Sequence, residues 1–146
     1  MQIDIKIDDN YKELKVIILT DKMNDEVNLI VQKLSEENPY IIAGFRDNLL
    51  EILEESDIIR IYSSGGKIYA DTTKGEYLLK LRLYELEERL DGNFFVRISN
   101  SEIINLKMVK EFDLSFTGTI CVRLSKDIVT YVSRRYVSKI KKILGI

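Results

Sequence analysis

Residues 57–73 read DIIRIYSSGGKIYADTT. The runs 57–63 and 67–73 are rich in β-branched and aromatic residues, and a Ser-Gly-Gly connection at 64–66 separates them. Because glycine adopts positive φ angles at little cost, such a connection between two β-rich runs predicts an antiparallel hairpin. Residues 119–133 repeat the arrangement, with two β-rich runs joined across Ser-Lys-Asp. We therefore expect an antiparallel β structure in this part of the chain.

Two predicted helices interrupt the β-rich part. One carries leucines at positions i, i+3 and i+7 from Leu83 and ends at an Asp-Gly pair, and the other covers residues 134–144. Residues 94–99 and 110–116 have the composition of further strands. The pattern predicts the α+β class, with a β-rich antiparallel domain over residues 46–146.

The first part of the chain has a different pattern. Isoleucines occupy every second position over residues 3–7, which is typical of a half-buried strand, and the apolar run 14–19 predicts another strand. Apolar residues at i, i+3, i+4 and i+7 from Val27 then predict an amphipathic helix behind a cap at Asn24 or Asp25, and Pro39 cannot continue that helix. An extended segment follows the proline. We expect a small αβ unit, residues 1–45.

The composition excludes several classes of protein. The 146 residues are 45% hydrophobic and 32% charged, which is typical of a globular domain and not of a disordered or collagenous chain. Histidine is absent and Cys121 is the one cysteine, so neither a Ser-His or Cys-His nucleophile pair nor an intramolecular disulfide is possible. No apolar run approaches the roughly 18 residues of a transmembrane helix. We expect a cytoplasmic protein that is not an enzyme and that uses no metal or cofactor.

The net charge of −2 conceals an uneven distribution of charge along the chain. Residues 1–56 hold 13 acidic and 6 basic residues, a balance of −7, whereas residues 57–146 hold 11 acidic and 16 basic residues, a balance of +5. A basic C-terminal part favours a polyanionic partner. A solvated helix face is the alternative explanation for the same charges.

The start of the last predicted helix breaks a local rule of helix stability. Ser133 suits the N-cap position, but Arg134 and Arg135 place cations in the first turn, against the positive end of the helix dipole. If a phosphate or a guanine edge faces this turn, the serine hydroxyl and both guanidinium groups become donors to it. The alternative is that the arginines pair with neighbouring acids such as Asp127.

Two turns provide further candidate residues. Asn100 and Ser101 form a polar tip after a strand, and an asparagine side chain can offer both a donor and an acceptor to an adenine edge. Asparagine also tolerates the left-handed backbone of tight turns, which is the alternative reason for its presence. Gly65, Gly66 and Lys67 lack the spacing of a phosphate-binding loop and predict a hairpin turn instead. Lys67 is nonetheless placed to touch a DNA backbone if that end of the sheet faces a duplex.

From about residue 55 to residue 144, the chain resembles the LytTR DNA-binding domain, a β-rich fold of bacterial transcription regulators. The resemblance lies in the order of several stretches. They are DIIRIY at 57–62, TKGE at 73–76, LYELEERL at 83–90, FFVRISNS at 94–101, IIN at 103–105 and YVSRRYV at 131–137.

The resemblance implies that loops at one end of the β structure enter the grooves of duplex DNA. Carried over residue by residue, it places Asn100 with Ser101 at one contact position, Arg135 at a second, and Lys67 or Ile68 at a third. Each of these positions lies in a predicted turn or at a predicted helix start. The resemblance therefore directs attention to the tips of the fold.

The chain departs from the family pattern in three ways. Many members carry a histidine where Ser99 stands and a basic residue where Asn100 stands, and some have a histidine near Ile68, so base preference does not transfer. Members often carry an N-terminal phosphoacceptor receiver domain, for which residues 1–45 are far too few. We expect this small unit to serve dimer contacts or to bind a regulatory protein.

These observations predict a transcription regulator that binds double-stranded DNA at specific sequences, as a homodimer and without membrane insertion. Arg135 and Asn100 are expected to read base edges, and a second set is expected to hold phosphates. That second set is Lys67, Ser101, Ser133, Arg134 and Lys139. The rival prediction is a protein-interaction module whose acidic N-terminal unit binds a regulatory protein partner. An enzyme, the third possibility, would need a buried pair of carboxylates.

Overall fold

The computed structural model describes residues 1–35 and 41–146. The chain divides into two compact units, Met1–Pro39 and Tyr40–Ile146. The described residues form three α-helices, three short 3-10 helices and ten strands. The α-helices and strands are α1 (Asp25–Ser35), β1 (Ile42–Arg46), β2 (Leu49–Leu53), β3 (Ile58–Ser64), β4 (Lys67–Thr72), β5 (Gly75–Leu79), α2 (Leu83–Arg89), β6 (Phe95–Ser99), β7 (Glu102–Asn105), β8 (Val109–Asp113), β9 (Ile120–Leu124), β10 (Val129–Val132) and α3 (Arg134–Leu144).

The first unit contains the predicted amphipathic helix, α1. The side-chain oxygen of Asn24 accepts a hydrogen bond from the backbone N–H of Val27 at 2.9 Å, so of the two predicted caps, Asn24 and Asp25, the helix uses Asn24. Acidic residues fill the first turn, where they favour the positive end of the helix dipole. The predicted break at Pro39 and the start of the extended segment at Tyr40 lie outside the described residues.

The two strands predicted within residues 1–24 do not form in the structure. Neither 3–7 nor 14–19 has strand structure, and the side chains of Ile3, Ile5 and Ile7 are exposed. A strand is stable only when its backbone pairs with a neighbour, and a two-stranded pair alone is marginal in water. The described part of this unit therefore contributes one helix and an irregular segment, and the predicted αβ character is not seen.

A seven-stranded antiparallel sheet is the main element of the second unit. Its strand order is β2-β1-β5-β4-β3-β7-β6, so β2 and β6 are the edge strands. The hairpin predicted from residues 57–73 is the β3–β4 pair, with Ser64 opposite Lys67 at the tip. A separate three-stranded sheet has the order β10-β9-β8 and contains the second predicted hairpin. The α+β class, with a β-rich antiparallel domain, is confirmed.

Apolar side chains fill both faces of the large sheet. One core lies between the sheet and α2, and its buried members are Ile42, Ile58, Ile61, Ala70, Leu79, Leu83, Leu86, Leu90, Phe95 and Ile103. The other lies between the opposite face, the small sheet and α3, and its buried members are Ile59, Val96, Ile98, Ile104, Ile120, Val122, Leu124, Val132 and Ile140. Since successive side chains of a strand point to opposite faces, adjacent isoleucines serve the two cores.

A local irregularity in β3 adjusts this alternation. Ile58 and Ile61 are three residues apart and still belong to the same core. The pairing register with β4 shifts between Ile58 and Arg60, as in a β-bulge. The bulge therefore allows an apolar run without strict period-two spacing to serve both faces of the sheet.

The boundary between the units lies earlier than the predicted division at residues 45 and 46. That division falls inside β1, which pairs with β2 and with β5. Gly44 lets β1 approach its neighbours closely, because a Cβ added there would lie 2.8 Å from Cβ of Tyr77 and 2.9 Å from Leu53. Residues from Ile42 onward thus belong to the β-rich unit. Among the described residues, no helix has both the length and the apolar character needed to cross a membrane.

Candidate nucleic-acid interface

The tip of the β3–β4 hairpin and the β6–β7 turn lie at the same end of the large sheet. β3 pairs antiparallel with both β4 and β7, and Tyr62 stands opposite Glu102. Beyond that pair, the backbone N–H of Ser63 donates to the carbonyl oxygen of Ser101 at 2.8 Å. Lys67, at the exit of the hairpin turn, is exposed. Strand pairing thus brings Lys67 and Ser101 to one end of the sheet.

The start of α3 lies beside the same turn. The backbone N–H of Ser133 donates to the carbonyl oxygen of Ile98 in β6 at 2.9 Å. One turn into the helix, the hydroxyl of Tyr136 lies 3.4 Å from Oδ1 of Asn100, to which it donates. The predicted contact residues of the hairpin, the turn and the helix start therefore belong to neighbouring elements. We call this set of tips the polar corner: residues 64–67, 99–101 and 133–136.

Arg134 and Arg135 are exposed at the polar corner. Among the described residues, neither arginine has a hydrogen bond or an ion pair. Asp127, the predicted alternative partner, instead lies 4.0 Å from Nζ of Lys110. The guanidinium of Arg134 extends over Gly118, where an added Cβ would lie 3.3 Å from its Nε. The first turn of α3 thus presents two cations to solvent at the end of the helix where they are least favourable.

Ser133 and Lys139 lie on either side of these arginines along the chain. Ser133 occupies the N-cap position, as predicted, with extended backbone angles of φ −69° and ψ 155°. Its side chain makes no capping hydrogen bond, so the hydroxyl is not used by the helix. Lys139 is exposed about one turn beyond Arg135, while Ile140 on the other face is buried in the second core.

Asn100 is exposed at the tip of the β6–β7 turn. Its backbone does not adopt a positive φ, since the non-glycine residues that do so in the described chain are Asp47, Lys126 and Asp127. A left-handed backbone therefore does not explain an asparagine at this position. Ser101 beside it is also exposed, and its hydroxyl lies 3.2 Å from that of Ser99.

The partly buried side chain of Arg97 holds the backbone of this turn through hydrogen bonds. Nε of Arg97 donates to the carbonyl oxygen of Ser99 at 2.7 Å, and Nη2 donates to that of Asn100 at 2.6 Å. Its Nη1 is 2.9 Å from Oε2 of Glu87 in α2. The guanidinium thus connects two successive carbonyls of the turn to α2.

A buried carboxylate connects the same region to the small sheet. The hydroxyl of Thr130 in β10 donates to Oε1 of Glu102 at 2.8 Å, and Nη1 of Arg60 lies 3.4 Å from Oε2. Nε of Arg60 also donates to Asp71 at 2.7 Å. Burial raises the pKa of Glu102 above its ordinary value, although the hydrogen bond from Thr130 and the charge of Arg60 act in the opposite direction. Glu102 begins the strand that leaves the turn, so this network holds the turn against β10.

The exposed residues of the corner stand out in the sequence, but those that hold the corner in place do not. In the sequence, Arg97 lies where a predicted strand meets a predicted turn and Tyr136 lies on a predicted apolar helix face, and neither position indicates the groups that these side chains contact. Their partners, Glu87 and Asn100, are 10 and 36 residues away along the chain. Such contacts depend on how the elements pack, and no local pattern indicates them.

Comparison with known proteins places this fold in a family. A family model of the LytTr DNA-binding domain matches residues 49–145. An uncharacterized HTH-type transcriptional regulator of Staphylococcus aureus (strain NCTC 8325) is 35% identical over 147 residues, covering 100% of this chain and 99% of the relative. A regulator of the same description from strain MRSA252 is 34% identical with the same coverage.

A solved structure supports the assignment of the fold. The LytTr DNA-binding domain from Bacillus cereus matches with a TM-score of 0.70 at 21% identity, covering 73% of this chain and 97% of that chain. At this identity the match concerns the fold alone. Together with the family match over residues 49–145, it confirms the resemblance found in the sequence: the chain belongs to the LytTr DNA-binding domain family.

Proposed function

We propose that this protein is a cytoplasmic transcription regulator that binds double-stranded DNA at specific sequences, as a homodimer. The observation that carries the proposal is the polar corner, where pairing of β3 with β7 and the packing of α3 against β6 bring three tips together. Family membership and the names of the Staphylococcus aureus relatives support a DNA-binding regulator. In this role the chain needs no catalytic group, metal or cofactor.

In this proposal Arg135 and Asn100 contact base edges. An arginine guanidinium can donate two hydrogen bonds to O6 and N7 of guanine. The amide oxygen of Asn100 faces the hydroxyl of Tyr136, so its amino group is the part free to donate to a base acceptor. The side chains proposed to hold phosphates are Lys67, Ser101, Ser133, Arg134 and Lys139.

The electrostatics of the first turn of α3 favour an anion. Its free backbone N–H groups and the unpaired guanidinium groups of Arg134 and Arg135 are donors that no described acid neutralises. Binding a phosphate there would convert an unfavourable cluster of positive charge into attraction. Because each neutralised phosphate releases counterions, the affinity should fall steeply as salt concentration rises.

The test measures DNA binding by the full chain and by single variants. Duplexes selected from a random pool supply the specific site, and fluorescence anisotropy gives affinity for that site and for unselected duplex. Arg135→Ala should cost about 1–3 kcal/mol on the specific site and flatten the base preference. Lys139→Ala should weaken binding to all sequences alike and lower the slope of log affinity against log salt by about 1.

Arg123→Ala is the matched control. Arg123 is exposed, pairs with Glu111 at 2.9 Å, and stands opposite Val129, at the far end of β10 from Ser133. This variant should bind DNA as the wild type does. If Arg135→Ala leaves affinity and preference unchanged, the assignment of Arg135 is wrong. If the wild type shows no salt-dependent affinity for duplex DNA, the chain is instead a protein-interaction module.

The N-terminal unit is assigned to contacts between protein chains. Its isoleucines at positions 3, 5 and 7 are exposed on alternate residues, and exposed apolar side chains in series favour a protein partner. A second copy of the chain is the partner of this proposal, and a regulatory protein is the alternative. A dimer would pair two polar corners with two half-sites on the duplex.

A further inference from the structure

The side chain of Arg97 is engaged on all of its nitrogen atoms although it lies directly below an exposed turn. Nε and Nη2 donate to the carbonyl oxygens of Ser99 and Asn100, and Nη1 pairs with Glu87. The side chain is only 15% exposed. A surface arginine that served only solubility would keep its guanidinium in water, whereas this one is directed toward the backbone of the turn.

The geometry of the turn explains what this bridge does. The register between β6 and β7 shifts between Arg97 and Ser99, so regular strand pairing is interrupted where the turn begins. β6 is also an edge strand, with a neighbour on one side only. The planar guanidinium, with its fixed fork of donors, constrains two successive carbonyls and so the direction in which the Asn100 side chain leaves the backbone.

We propose that Arg97 is a positioning residue for base recognition: it orients Asn100, and Glu87 in turn holds Arg97. The inference rests on the proposed function, since it assigns Asn100 to a base edge. Ordering a flexible turn when DNA binds would cost free energy. A turn that is already ordered avoids this cost, so its contacts with DNA contribute more to the affinity. Arg97 itself makes no phosphate contact in this account, because its donors are already used within the protein.

The substitution Arg97→Lys separates the orienting effect of the guanidinium from its positive charge. Arg97→Lys keeps the positive charge, but an ammonium on a flexible stem cannot bridge Ser99, Asn100 and Glu87 in one plane. We expect this variant to bind the specific duplex on the order of tenfold more weakly, within the usual range for coupled contacts. Its affinity for unselected duplex and its salt dependence should equal those of the wild type, because the number of phosphates contacted is unchanged.

A double-mutant cycle tests whether Arg97 acts through Asn100. Once Asn100→Ala has removed the side chain to be oriented, Arg97→Lys should cause little additional loss on the specific duplex. Selection from random duplexes should show that both single variants lose preference at the same base pair. A general loss of folding would instead reduce preference at every position.

Substitution of Glu87 provides a second route that leaves the arginine in place. Glu87→Ala should reproduce part of the Arg97→Lys effect, whereas Glu87→Gln, which keeps an acceptor oxygen, should retain most of the wild-type preference. Two matched controls should bind as the wild type does. Glu88→Ala removes the neighbouring exposed acid of α2, and Arg123→Lys alters an arginine whose ion pair has the same 2.9 Å length.

The outcomes distinguish this inference from the proposed function. If the wild type binds duplex DNA but Arg97→Lys and Glu87→Ala do not alter base preference, the positioning role is wrong. An equal loss on specific and unselected duplexes with a smaller salt slope would also overturn it, because Arg97 would then be a phosphate ligand. If the wild type binds no duplex, the proposed function fails, whatever the variants do. Thermal unfolding of each variant verifies that binding is measured on folded protein.

Discussion

Glu102 shows how one buried side chain links stability to the candidate interface. Its carboxylate is about 10% exposed and lies between Arg60 of the large sheet and Thr130 of the small sheet. Burial disfavours its charged form, and the hydrogen bond from Thr130 and the charge of Arg60 compensate only in part, so its pKa is raised. In the unfolded chain the same carboxyl returns to its ordinary pKa.

This difference predicts how stability varies with pH. Above the ordinary glutamate pKa of 4.5, the folded state retains a proton at Glu102 that the unfolded state has lost. The unfolding free energy contributed by this group should therefore fall as pH rises, until it passes the raised pKa. Each pKa unit by which the folded value exceeds the unfolded value lowers the unfolding free energy at high pH by about 1.4 kcal/mol. Urea unfolding across this pH range measures the slope.

Glu102→Gln removes the titration while retaining an oxygen that can accept from Thr130. The difference in unfolding free energy between this variant and the wild type should move in favour of the variant as pH rises above 4.5. Glu88→Gln, at an exposed site, is the control and should leave the pH dependence unchanged. If the Glu102→Gln and wild-type curves run parallel, Glu102 has the same pKa in the folded and unfolded chains.

Single residues differ in how far the sequence could predict their roles. The unusual placement of Arg134 and Arg135 was visible in the sequence, because cations in a first turn oppose the helix dipole, but whether they pair with an acid was left open. Their lack of pairing with Asp127 required the structure, which places Asp127 beside Lys110. The role of Arg97 was not predictable, since it depends on a bend in the chain and on the position of α2.

At the scale of elements, α3 carries a cost to stability that the proposed function would explain. Arg134 and Arg135 lie at the positive end of the helix dipole, where cations are unfavourable, while Lys141 and Lys142 lie in the last turn, where they are favourable. The arrangement is explained if the first turn is built to receive an anion. It follows that removing its charge should affect folding and binding in opposite directions.

Arg135→Ala tests this opposition within one variant. Because alanine is also a good helix former, we expect the unfolding free energy at low salt to rise by about 0.3–1 kcal/mol while specific DNA affinity falls. Lys141→Ala is the matched control at the other end of the helix: it loses a favourable interaction with the dipole, so its unfolding free energy should not rise as that of Arg135→Ala does. Urea unfolding gives both values. A loss of stability in Arg135→Ala would mean that the arginine supports the fold itself.

The predictability of the other elements depends on how much of their stability is local. The β3–β4 hairpin and α3 carry strong turn and periodicity signals, and both were predicted with nearly the observed bounds. β2 was missed because Leu-Leu-Glu-Ile-Leu favours a helix and becomes a strand only by pairing with β1. The predicted strands at 3–7 and 14–19 failed for the converse reason, since alternation without a paired neighbour does not stabilise a strand.

At the scale of the whole molecule, the order of turns and strands along the chain and the distribution of charge indicated the family better than any local pattern did. The sequence of turns and strands led to the correct family, and the basic balance of residues 57–146 agrees with a DNA-binding domain. The sequence did not indicate what the alternating segment 3–7 contacts. In the described part of the unit Met1–Pro39, that segment has no strand partner.

The exposed isoleucines of this segment lead to a prediction about assembly. Ile3, Ile5 and Ile7 are 74%, 84% and 92% exposed, and their spacing would place all three on one face of a strand. A second copy offers the same unpaired backbone, and antiparallel pairing about a two-fold axis would satisfy both backbones and join the two apolar faces into one larger face that a further contact within the dimer can cover. We therefore expect the full chain to be a dimer at micromolar concentration in sedimentation velocity.

A charge on the apolar face should separate the subunits, whereas the same charge on the polar face should not. Ile5→Lys should shift the protein to monomer, and Gln2→Lys, three residues away on the opposite face, should leave it dimeric. The monomeric variant should bind a single half-site as the wild type does but lose the advantage of a paired site, because the two polar corners are no longer joined. A wild-type chain that sediments as a monomer, or an Ile5→Lys variant that remains a dimer, would exclude this segment as the dimer contact.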